Sequence, residues 1–330
     1  MPTHLTVLIC THNRAELLQQ AVVSLQACTR PLNLQVNILV VANACDDGSH
    51  AVLEGLANGA GAQRFPVQWV AEPTAGKSHA LNKGISLLRG DWVAVVDDDH
   101  RVSNDFLVAI EKAIADYPEA TMLCGRVLPD WDGREPSWVH DQGPYRIYPL
   151  PIPRQDFGGA PRELGANGPT PGGGNQIFRV DLLRRIGPFS TELGPQGHDL
   201  GGGEDTEYVL RALHLGERLW YVPQIVQYHH VDLARLTLPY LMRKAYQRSA
   251  SAVRLQALHV PPPARQVGVP LYLYRKLLGY AAGALFSLGM ARRRFYLVRS
   301  AAALGEVAGL RRCRQHALSA TTARTRSDHA

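Results

Sequence analysis

The chain has 330 residues, of which 45% are hydrophobic and 19% are charged. This balance allows a full buried core and excludes a protein that is disordered over most of its length. The net charge of +6 is unevenly distributed, because residues 235–330 contain 17 Lys and Arg against Glu306 and Asp328. That segment therefore carries +15 and residues 1–234 carry −9. Such an asymmetry predicts a partner or a surface for the basic end.

The five cysteines are scattered, without a CxxC pair or the Cys/His spacing of a zinc site. This pattern argues against a disulfide framework and suits a reducing compartment. The apolar segment near the N-terminus, Leu5 to Cys10, is too short for the apolar region of a signal peptide and follows no Lys or Arg. We therefore expect a cytoplasmic protein.

Four short apolar runs, rich in β-branched residues, have the length of strands. They are Leu5–Cys10, Val36–Val41, Val67–Ala71 and Trp92–Asp97.

Helical patterns alternate with these runs. Asn13, with Glu16 three residues later, has the form of a capping box and predicts that the first helix begins there. A second helix is predicted over about 77–88, and a third is capped by Ser103 or Asn104. The alternation predicts an α/β fold with a mostly parallel, doubly wound sheet, helices on both faces, and a ligand beyond the carboxyl ends of the strands.

The pattern changes after residue 128. Residues 129–174 are rich in Pro, Gly and aromatic residues, which predicts a long functional loop. Regular structure returns at Asn175–Val180, in a helix over about 204–215 and in a strand around Leu219–Val222. After Val231 the chain is helical and basic. The prolines at 261–263 predict a hinge, and Gly201 to Gly203 predict a flexible approach to the helix near 204.

Asp97-Asp98-Asp99 follows an apolar strand directly. Adjacent carboxylates repel one another unless a cation neutralises them, and residues i and i+2 of an extended chain project to one side. Hard oxygen ligands favour Mg²⁺ or Mn²⁺, which would bridge a diphosphate. The alternative is a solvated acidic turn, but the buried strand before it favours a metal site.

Polar residues also follow the first two strands. Thr11 to Arg14 lead into a helix N-terminus, where unpaired N–H groups bind phosphate or polar rings. Asn43 either contacts a base edge or is a simple turn residue. Lys77 and His79, at the start of the second predicted helix, either meet a diphosphate or are solvated. A GxGxxG motif is absent, so a dinucleotide site is not expected.

Several motifs, in their order and spacing, resemble glycosyltransferase family 2 over roughly residues 3–232. The motifs are Thr11/Asn13/Arg14, the Asn43 to Ser49 turn, Glu72 to Asn82, Asp97-Asp98-Asp99, the glycines at 172–174 with Asn175, and Gly203-Glu204-Asp205.

The resemblance implies a GT-A fold and an inverting hexosyltransferase that uses a nucleotide-diphosphate sugar. It implies that nucleotide-sugar binding falls to Thr11, Asn13, Arg14, Asn43, Asp47, Lys77, Asp97, Asp98 and Asn175. It implies that Mn²⁺ or Mg²⁺ is held by Asp99 and Asp97, approached by either His229 or His230. Family members often have Asp where this chain has Ala42, so base recognition would pass to Asn43.

By the same resemblance Asp205 is the base that deprotonates the acceptor hydroxyl, and Glu204 orients the acceptor or Asp205. The alternative role for both carboxylates is capping of their helix. The two histidines have the alternative of being ordinary surface residues. Aromatic residues of the 129–174 loop would stack on an acceptor or pin the loop to the core. They are Trp131, Trp138, Tyr145 and Tyr148.

The basic tail contains a segment without charge, Leu277–Ala291, between two clusters of Lys and Arg. As one helix it would span ~22 Å, short of the ~30 Å core of a bilayer. An in-plane helix with arginines on anionic headgroups is one explanation, and a helix packed on the catalytic domain is the other. Nucleic acid is not expected, because no binding fold accompanies the basic residues.

Together these features predict a catalytic domain over residues 1–232 and a basic helical extension over 233–330. Within the domain, residues 1–127 would bind the nucleotide sugar and 128–232 the acceptor, a glycan or a lipid-linked sugar. The enzyme would serve cell-surface polysaccharide or glycolipid synthesis, peripherally on the cytoplasmic face of the inner membrane.

The sequence leaves two alternative functions, a sugar nucleotidyltransferase and a non-catalytic nucleotide-sugar-binding protein. A sugar nucleotidyltransferase would show a Gly-rich triphosphate loop after the first strand, which Thr11 to Arg14 do not provide. The second is a non-catalytic nucleotide-sugar-binding protein. The acidic residues Asp97, Asp99 and Asp205 argue against it.

Overall fold

The computed structural model describes residues 3–59, 64–191, 203–259 and 269–327. Strands and helices alternate through the first hundred residues. They are β1 (Thr3–Thr11), α1 (Ala15–Ala27), β2 (Leu34–Asn43), α2 (Ser49–Asn58), β3 (Val67–Glu72), α3 (Lys77–Ser86) and β4 (Trp92–Asp97). The four strands are parallel and lie in the order β3-β2-β1-β4. This confirms the parallel, doubly wound part of the predicted sheet.

The following elements complete a nine-stranded sheet. They are β5 (His100–Val102), α4 (Phe106–Asp116), β6 (Met122–Asp130), β7 (Arg162–Leu164), β8 (Gln176–Arg179), α5 (Val180–Ile186), α6 (Glu204–His214) and β9 (Leu219–His230). The sheet continues as β4-β8-β6-β9-β5, with β7 on β9. Here β6 and β9 are parallel, whereas β8, β5 and β7 pair antiparallel with their neighbours, so this half is mixed.

Side chains of the central strands point alternately into two cores. Leu5, Val7 and Ile9 of β1 belong to one core, and Leu8 belongs to the other. The first core is covered by α1, α2 and α4, and the second by α3, α5 and α6. Burial on both faces explains why these strands are continuous apolar runs. It also leaves the polar residues at the strand ends as the place for a site.

Some predicted boundaries are wrong. Helix α2 was not predicted, and α1 begins at Ala15 without the expected capping box. Asn13 instead has φ 54° and its amide bonds to Asp46, so it caps nothing. Strand β9 runs to His230, past the predicted end near Val222.

The extension of β9 passes through Pro223. The register against β6 shifts between Cys124 and Arg126, opposite this proline. Such an irregularity accommodates a residue that cannot donate to the ladder. A Pro inside an apolar run therefore does not end the strand here.

Two compact units are present: Met1–Asp130 with Pro153–His230, and Trp131–Ile152 with Val231–Ala330. In the second unit, Trp131 and Trp138 pack on a small apolar cluster of Ile152, Val231 and Leu236. Its helices are α7 (Leu238–His259), α8 (Leu271–Leu285) and α9 (Met290–Ser327). Both α7 and α8 pack on α9.

The helix predicted over 277–291 is wrong. Helix α8 ends at Leu285, and a turn that contains Gly289 separates it from α9. Among the helices that the structure describes, none is both long enough and apolar enough to cross a membrane. The predicted hinge at 261–263 and the glycines Gly201 and Gly202 lie outside the described residues.

Candidate active site

A cleft of about 600 Å³ opens at the carboxyl ends of β1 and β4. Its walls come from these two strands, from the first turns of α3 and α6, from the glycines before β8 and from His229 of β9. This is where a doubly wound sheet places its ligand, because the strand ends leave polar loops there. The first unit therefore contains the predicted cleft.

Asp98 is buried at the floor of the cleft, with 5% of its surface exposed. It accepts hydrogen bonds from Thr11 Oγ1 at 2.8 Å and from Arg14 Nη1 at 2.9 Å. Arg14 also lies 2.8 Å from Asp99 Oδ2. Burial raises the pKa of Asp98, and the charge of Arg14 opposes that shift. Thr11 and Arg14 thus hold the acidic turn that follows β4.

Lys77 joins carboxylates from two distant segments. Its Nζ lies 3.0 Å from Asp97 Oδ1, 3.4 Å from Asp205 Oδ2 and 4.0 Å from Glu204 Oε1. Burial acts to raise the pKa of Asp97, but the charge of Lys77 outweighs it and that pKa is lowered to about 2. Burial and the neighbouring Asp205 raise the pKa of Glu204. The predicted base therefore lies beside the predicted donor site, in the first turn of α6.

The glycines before β8 allow this close approach. A Cβ on Gly173 would lie 2.1 Å from Asp205 Oδ2 and 2.9 Å from Lys77 Nζ. Gly174 has φ +98°, and a Cβ there would lie 2.7 Å from His100 Cε1. Neighbouring side chains occupy the space that a Cβ at either position would need, so the glycine run shapes the cleft wall.

Three residues form a group that could hold a metal ion: Asp99, His100 and His229. Their ligand atoms all lie within 4.8 Å of one another, and Asp99 Oδ2 is 3.6 Å from His229 Nε2. Two ligands on opposite sides of one ion at ~2.1 Å are ~4.2 Å apart, so a small contraction would close the site. Carboxylate oxygens suit Mg²⁺ and Mn²⁺, whereas imidazoles favour a transition metal, so the donor set fits Mn²⁺ better.

Two predicted metal residues fall outside this group. His230 is exposed, because successive side chains of a strand point to opposite sides, and its backbone N–H donates to Asp99 O. Asp97 pairs with Lys77 instead. His100 was not among the predicted metal residues, although it follows the three aspartates. It pairs with His229 in the β5–β9 register, which joins residues far apart in the chain.

Residues predicted to grip the nucleoside have structural tasks. Asp47 accepts from the first N–H of α1 at Ala15 and from Ser49 N at the start of α2. Neither Asp47 nor Asn13 lines the cleft. Asn43 does, but its amide is bonded to the backbone of Glu72, Thr74 and Gly76, and so holds the loop before α3.

Asn175, predicted to bind the sugar nucleotide, is fully buried, with 0% of its surface exposed. Its Nδ2 donates to Arg126 O and Ile225 O, and its Oδ1 accepts from Gln227 Nε2. In these contacts Asn175 supports the backbone, and its contact with the nucleotide sugar stays a prediction. A motif next to a glycine run does not reveal on which side of the sheet edge its side chain lies.

Four aromatic residues of the 129–174 loop, Trp131, Trp138, Tyr145 and Tyr148, belong to the second unit. Trp138 lies under Arg294, whose guanidinium is 4.5 Å from the ring centre. Tyr145 contacts Phe295 edge to face at 5.7 Å. Tyr148 is 74% exposed. The two tryptophans and Tyr145 thus pin the loop within that unit, the second of the two alternatives.

The sequence is similar to a known family and to characterised proteins. The model of glycosyl transferase family 2 matches residues 6–187. The succinoglycan biosynthesis protein ExoM of Rhizobium meliloti is 24% identical over 308 residues, covering 93% of both chains. The glucosyl-dolichyl phosphate glucuronosyltransferase of Haloferax volcanii is 25% identical over 250 residues, covering 74% of this chain and 75% of that protein.

Solved structures with the same fold include TarS of S. aureus, residues 1–349, in complex with UDP-GlcNAc. It has a TM-score of 0.55 at 15% identity, covering 96% of this chain and 92% of that chain. The mannosyltransferase PcManGT of Pyrobaculum calidifontis, in complex with GDP-Man and Mn²⁺, has a TM-score of 0.55 at 19% identity, covering 94% and 88%. At these identities the likeness shows the fold, which is GT-A.

Proposed function

Because the chain belongs to glycosyltransferase family 2, we propose that its first unit is the catalytic domain of an inverting transferase, with Asp205 as the base. One observation carries this proposal. Lys77 brings Asp205 of α6 and Asp97 of β4 to the same ammonium, at 3.4 Å and 3.0 Å. A base for the acceptor and a turn for the donor diphosphate therefore share one cleft.

The reaction is a single displacement. The Asp205 carboxylate takes the proton of the acceptor hydroxyl, and that oxygen bonds to the anomeric carbon. The bond from this carbon to the diphosphate oxygen breaks, and its electron pair leaves with the nucleoside diphosphate. Attack opposite the leaving group inverts the anomeric configuration. Glu204, buried beside Asp205, orients the acceptor or the base.

The groups that would bind the donor are two cationic side chains and one hydroxyl near the acidic turn. Arg14 and Lys77 are placed to neutralise the diphosphate, and Thr11 holds Asp98. Mn²⁺, or less favourably Mg²⁺, would be held by Asp99 and His229 and would add positive charge at the leaving diphosphate.

The acceptor is a glycan or a lipid-linked sugar of a cell-surface polysaccharide or glycolipid pathway. The names of two relatives, a succinoglycan biosynthesis protein and a glucosyl-dolichyl phosphate glucuronosyltransferase, support this substrate class. Family membership and the retained carboxylates weigh against a sugar nucleotidyltransferase and against a non-catalytic binding protein.

Asp205→Asn tests the base. Asparagine keeps the size of the side chain, so folding and donor affinity should persist while transfer falls by ~10²–10⁴. The matched control is Glu207→Gln, in the same helix, where Glu207 pairs with Arg211 and does not line the cleft. A normal transfer rate in Asp205→Asn would reject the assignment, and lost donor binding would move Asp205 into the donor site.

We also propose that the enzyme works on an anionic membrane, at its cytoplasmic face, through α8. Helix α8 exposes an apolar stripe at helical spacing, with Leu271 79%, Leu278 69% and Leu285 76% exposed. Phe286 and Leu288 in the turn after it, and Met290 at the start of α9, are exposed as well. One face of α8 packs on α9, whereas the face that carries these leucines is apolar and exposed to solvent. An exposed apolar face of this kind marks an interaction surface.

The charge around this stripe favours anionic lipid. Arg275, Arg292 and Arg293 are exposed beside it, and residues 233–305 contain no Asp or Glu. Apolar insertion and headgroup attraction would act together.

Vesicle flotation tests this surface. The full chain should float with vesicles that contain anionic lipid and lose binding as salt rises. Phe286→Ser with Leu288→Ser should reduce flotation, whereas Leu32→Ser, at an equally exposed leucine of the first unit, should not. If flotation depends neither on lipid charge nor on these substitutions, the proposed membrane-binding role of α8 is rejected.

A further inference from the structure

Two uncharged polar side chains, Asn175 and Gln227, are buried behind the candidate metal group, each with 0% exposure. Neither residue contacts the cleft directly. A buried amide is costly unless each donor and acceptor has a partner, so the partners determine which way each amide points.

The orientation of Asn175 is set by backbone carbonyls. Its nitrogen lies 2.7 Å from Arg126 O and 2.9 Å from Ile225 O, and both partners can only accept. The Nδ2 atom must therefore face them, which turns Oδ1 towards Gln227. Gly125 makes the approach to Ile225 feasible, since a Cβ there would lie 2.5 Å from Asn175 Nδ2.

The orientation of Gln227 follows from that of Asn175. Its nitrogen lies 3.3 Å from Asn175 Oδ1 and 3.1 Å from Val95 O, again two acceptors. A flipped amide would put an oxygen against both. Gln227 Oε1 therefore points away from these two acceptors and towards His100. The distance from Gln227 Oε1 to His100 Nδ1 is 2.7 Å.

This contact fixes the tautomer of His100. Because an amide oxygen only accepts, His100 Nδ1 must carry the proton and donate it. In the neutral ring Nε2 then has a lone pair, and it points towards Asp99, 3.8 Å from Oδ1. A lone pair that faces a carboxylate is repelled unless a proton or a metal cation lies between them, so this nitrogen is placed to bind either one.

We propose that His100 Nε2 is a ligand of the divalent ion and that Gln227, itself held by Asn175, is the positioning residue that keeps this nitrogen available. The inference rests on the metal site of the proposed function and adds to it a second imidazole and its support. Metal-bound histidines generally donate their other N–H to a fixed acceptor, and loss of that acceptor weakens metal binding.

The tautomer can be measured without any metal. Long-range ¹H–¹⁵N spectra of the histidine-labelled full chain, with His100 assigned by its loss in His100→Gln, should show a proton on Nδ1, whether or not Nε2 is also protonated. A proton on Nε2 alone would overturn the proposal, even if the enzyme is active.

Metal binding gives the second readout. Mn²⁺ titrations followed by electron paramagnetic resonance should show an affinity ~10–100-fold lower in Gln227→Met and in His100→Gln. Pulsed spectra should detect two imidazole nitrogens at Mn²⁺ in the wild type and one in His100→Gln. The control is His230→Gln, which changes an exposed histidine of β9, the strand that contains Gln227 and His229. It should leave both measurements unchanged.

The outcomes are separable. One imidazole in the wild type, or unchanged affinity in folded Gln227→Met, would reject the role of His100 or of Gln227. If the wild type binds no Mn²⁺ even with UDP or GDP present, the metal assignment of the proposed function fails and the inference fails with it. Unfolding of Gln227→Met would leave the tautomer measurement and His100→Gln to decide.

Discussion

Lys77 Nζ lies 3.4 Å from Asp205 Oδ2, although the two residues are 128 positions apart in the chain. The contact joins the first turn of α3 to the first turn of α6. It places a cation between Asp97, which we propose lies at the donor diphosphate, and Asp205, the proposed base for the acceptor. Replacing Lys77, or the glycine that leaves room for Asp205, tests the contact.

Lys77→Met should destabilise the fold and weaken donor binding. Without the ammonium, Asp97, Glu204 and Asp205 remain close together and largely buried, which should cost about 3–5 kcal/mol in the free energy of unfolding. Chemical denaturation measures this cost. Lys112→Met removes an exposed lysine that pairs with Asp116 and should leave the free energy of unfolding nearly unchanged. Equal losses in the two variants would contradict the role of Lys77.

Gly173→Ala should abolish most transfer while leaving the protein folded. The new methyl group would lie 2.1 Å from Asp205 Oδ2, so the carboxylate has to leave its position. A base displaced by ~1 Å can lose ~10² in rate. Gly172→Ala is the matched control, because a Cβ there meets nothing within 4 Å. Transfer rates of the two variants, with circular dichroism for folding, settle the comparison.

Nucleotide binding should need the metal and Asp99. An unneutralised diphosphate beside three carboxylates is repelled, so affinity for UDP or GDP should collapse in chelator and in Asp99→Ala. Readdition of Mn²⁺ should restore binding at lower concentration than Mg²⁺, because two imidazoles favour the transition metal. Calorimetric titration measures both. Undiminished affinity in chelator and in the variant would reject the metal assignment.

Gly125→Ala should destabilise the protein by more than an ordinary glycine replacement. Its Cβ would lie 2.0 Å from Ile225 O, a backbone atom that cannot move aside cheaply, and overpacking of this kind costs ~1–3 kcal/mol or more. Gly279→Ala in α8 meets nothing within 4 Å and should be neutral or stabilise by up to ~1 kcal/mol. The midpoints of thermal unfolding distinguish the two; a stable Gly125→Ala would show that the strand contact is looser than described.

Part of the site could be predicted from the sequence because local patterns mark it. Asp97 to Asp99 end an apolar strand, and Asp205 begins a helix after glycines, so each can be recognised from its neighbours. The distinction between His229 and His230 depends on strand register, as does the pairing of His229 with His100. Single-sequence patterns contain no information on register between strands over a hundred residues apart.

The backbone contacts of Asp47 and Asn175 were not predicted for a related reason, and those of Asn43 match its alternative as a turn residue. Polar residues next to a site have two uses, contact with a ligand and support of the backbone, and both look alike in a sequence. All three support the backbone here, through carbonyls or helix N–H groups that only the fold brings near. The polar turn after β2 indicates that a site lies near Asn43 and Asp47. It does not indicate whether either side chain contacts a ligand or the backbone.

The division of the chain into units limits how it can be shortened. The catalytic unit is interrupted by Trp131–Ile152, which belongs with Val231–Ala330. A fragment ending at residue 230 would keep Trp131, Trp138 and Ile152 but lose Val231 and Leu236, on which they pack. The orphaned tryptophans would then face water and promote aggregation. A minimal transferase should therefore be made by replacing residues 131–152 with a short linker as well as by removing the tail.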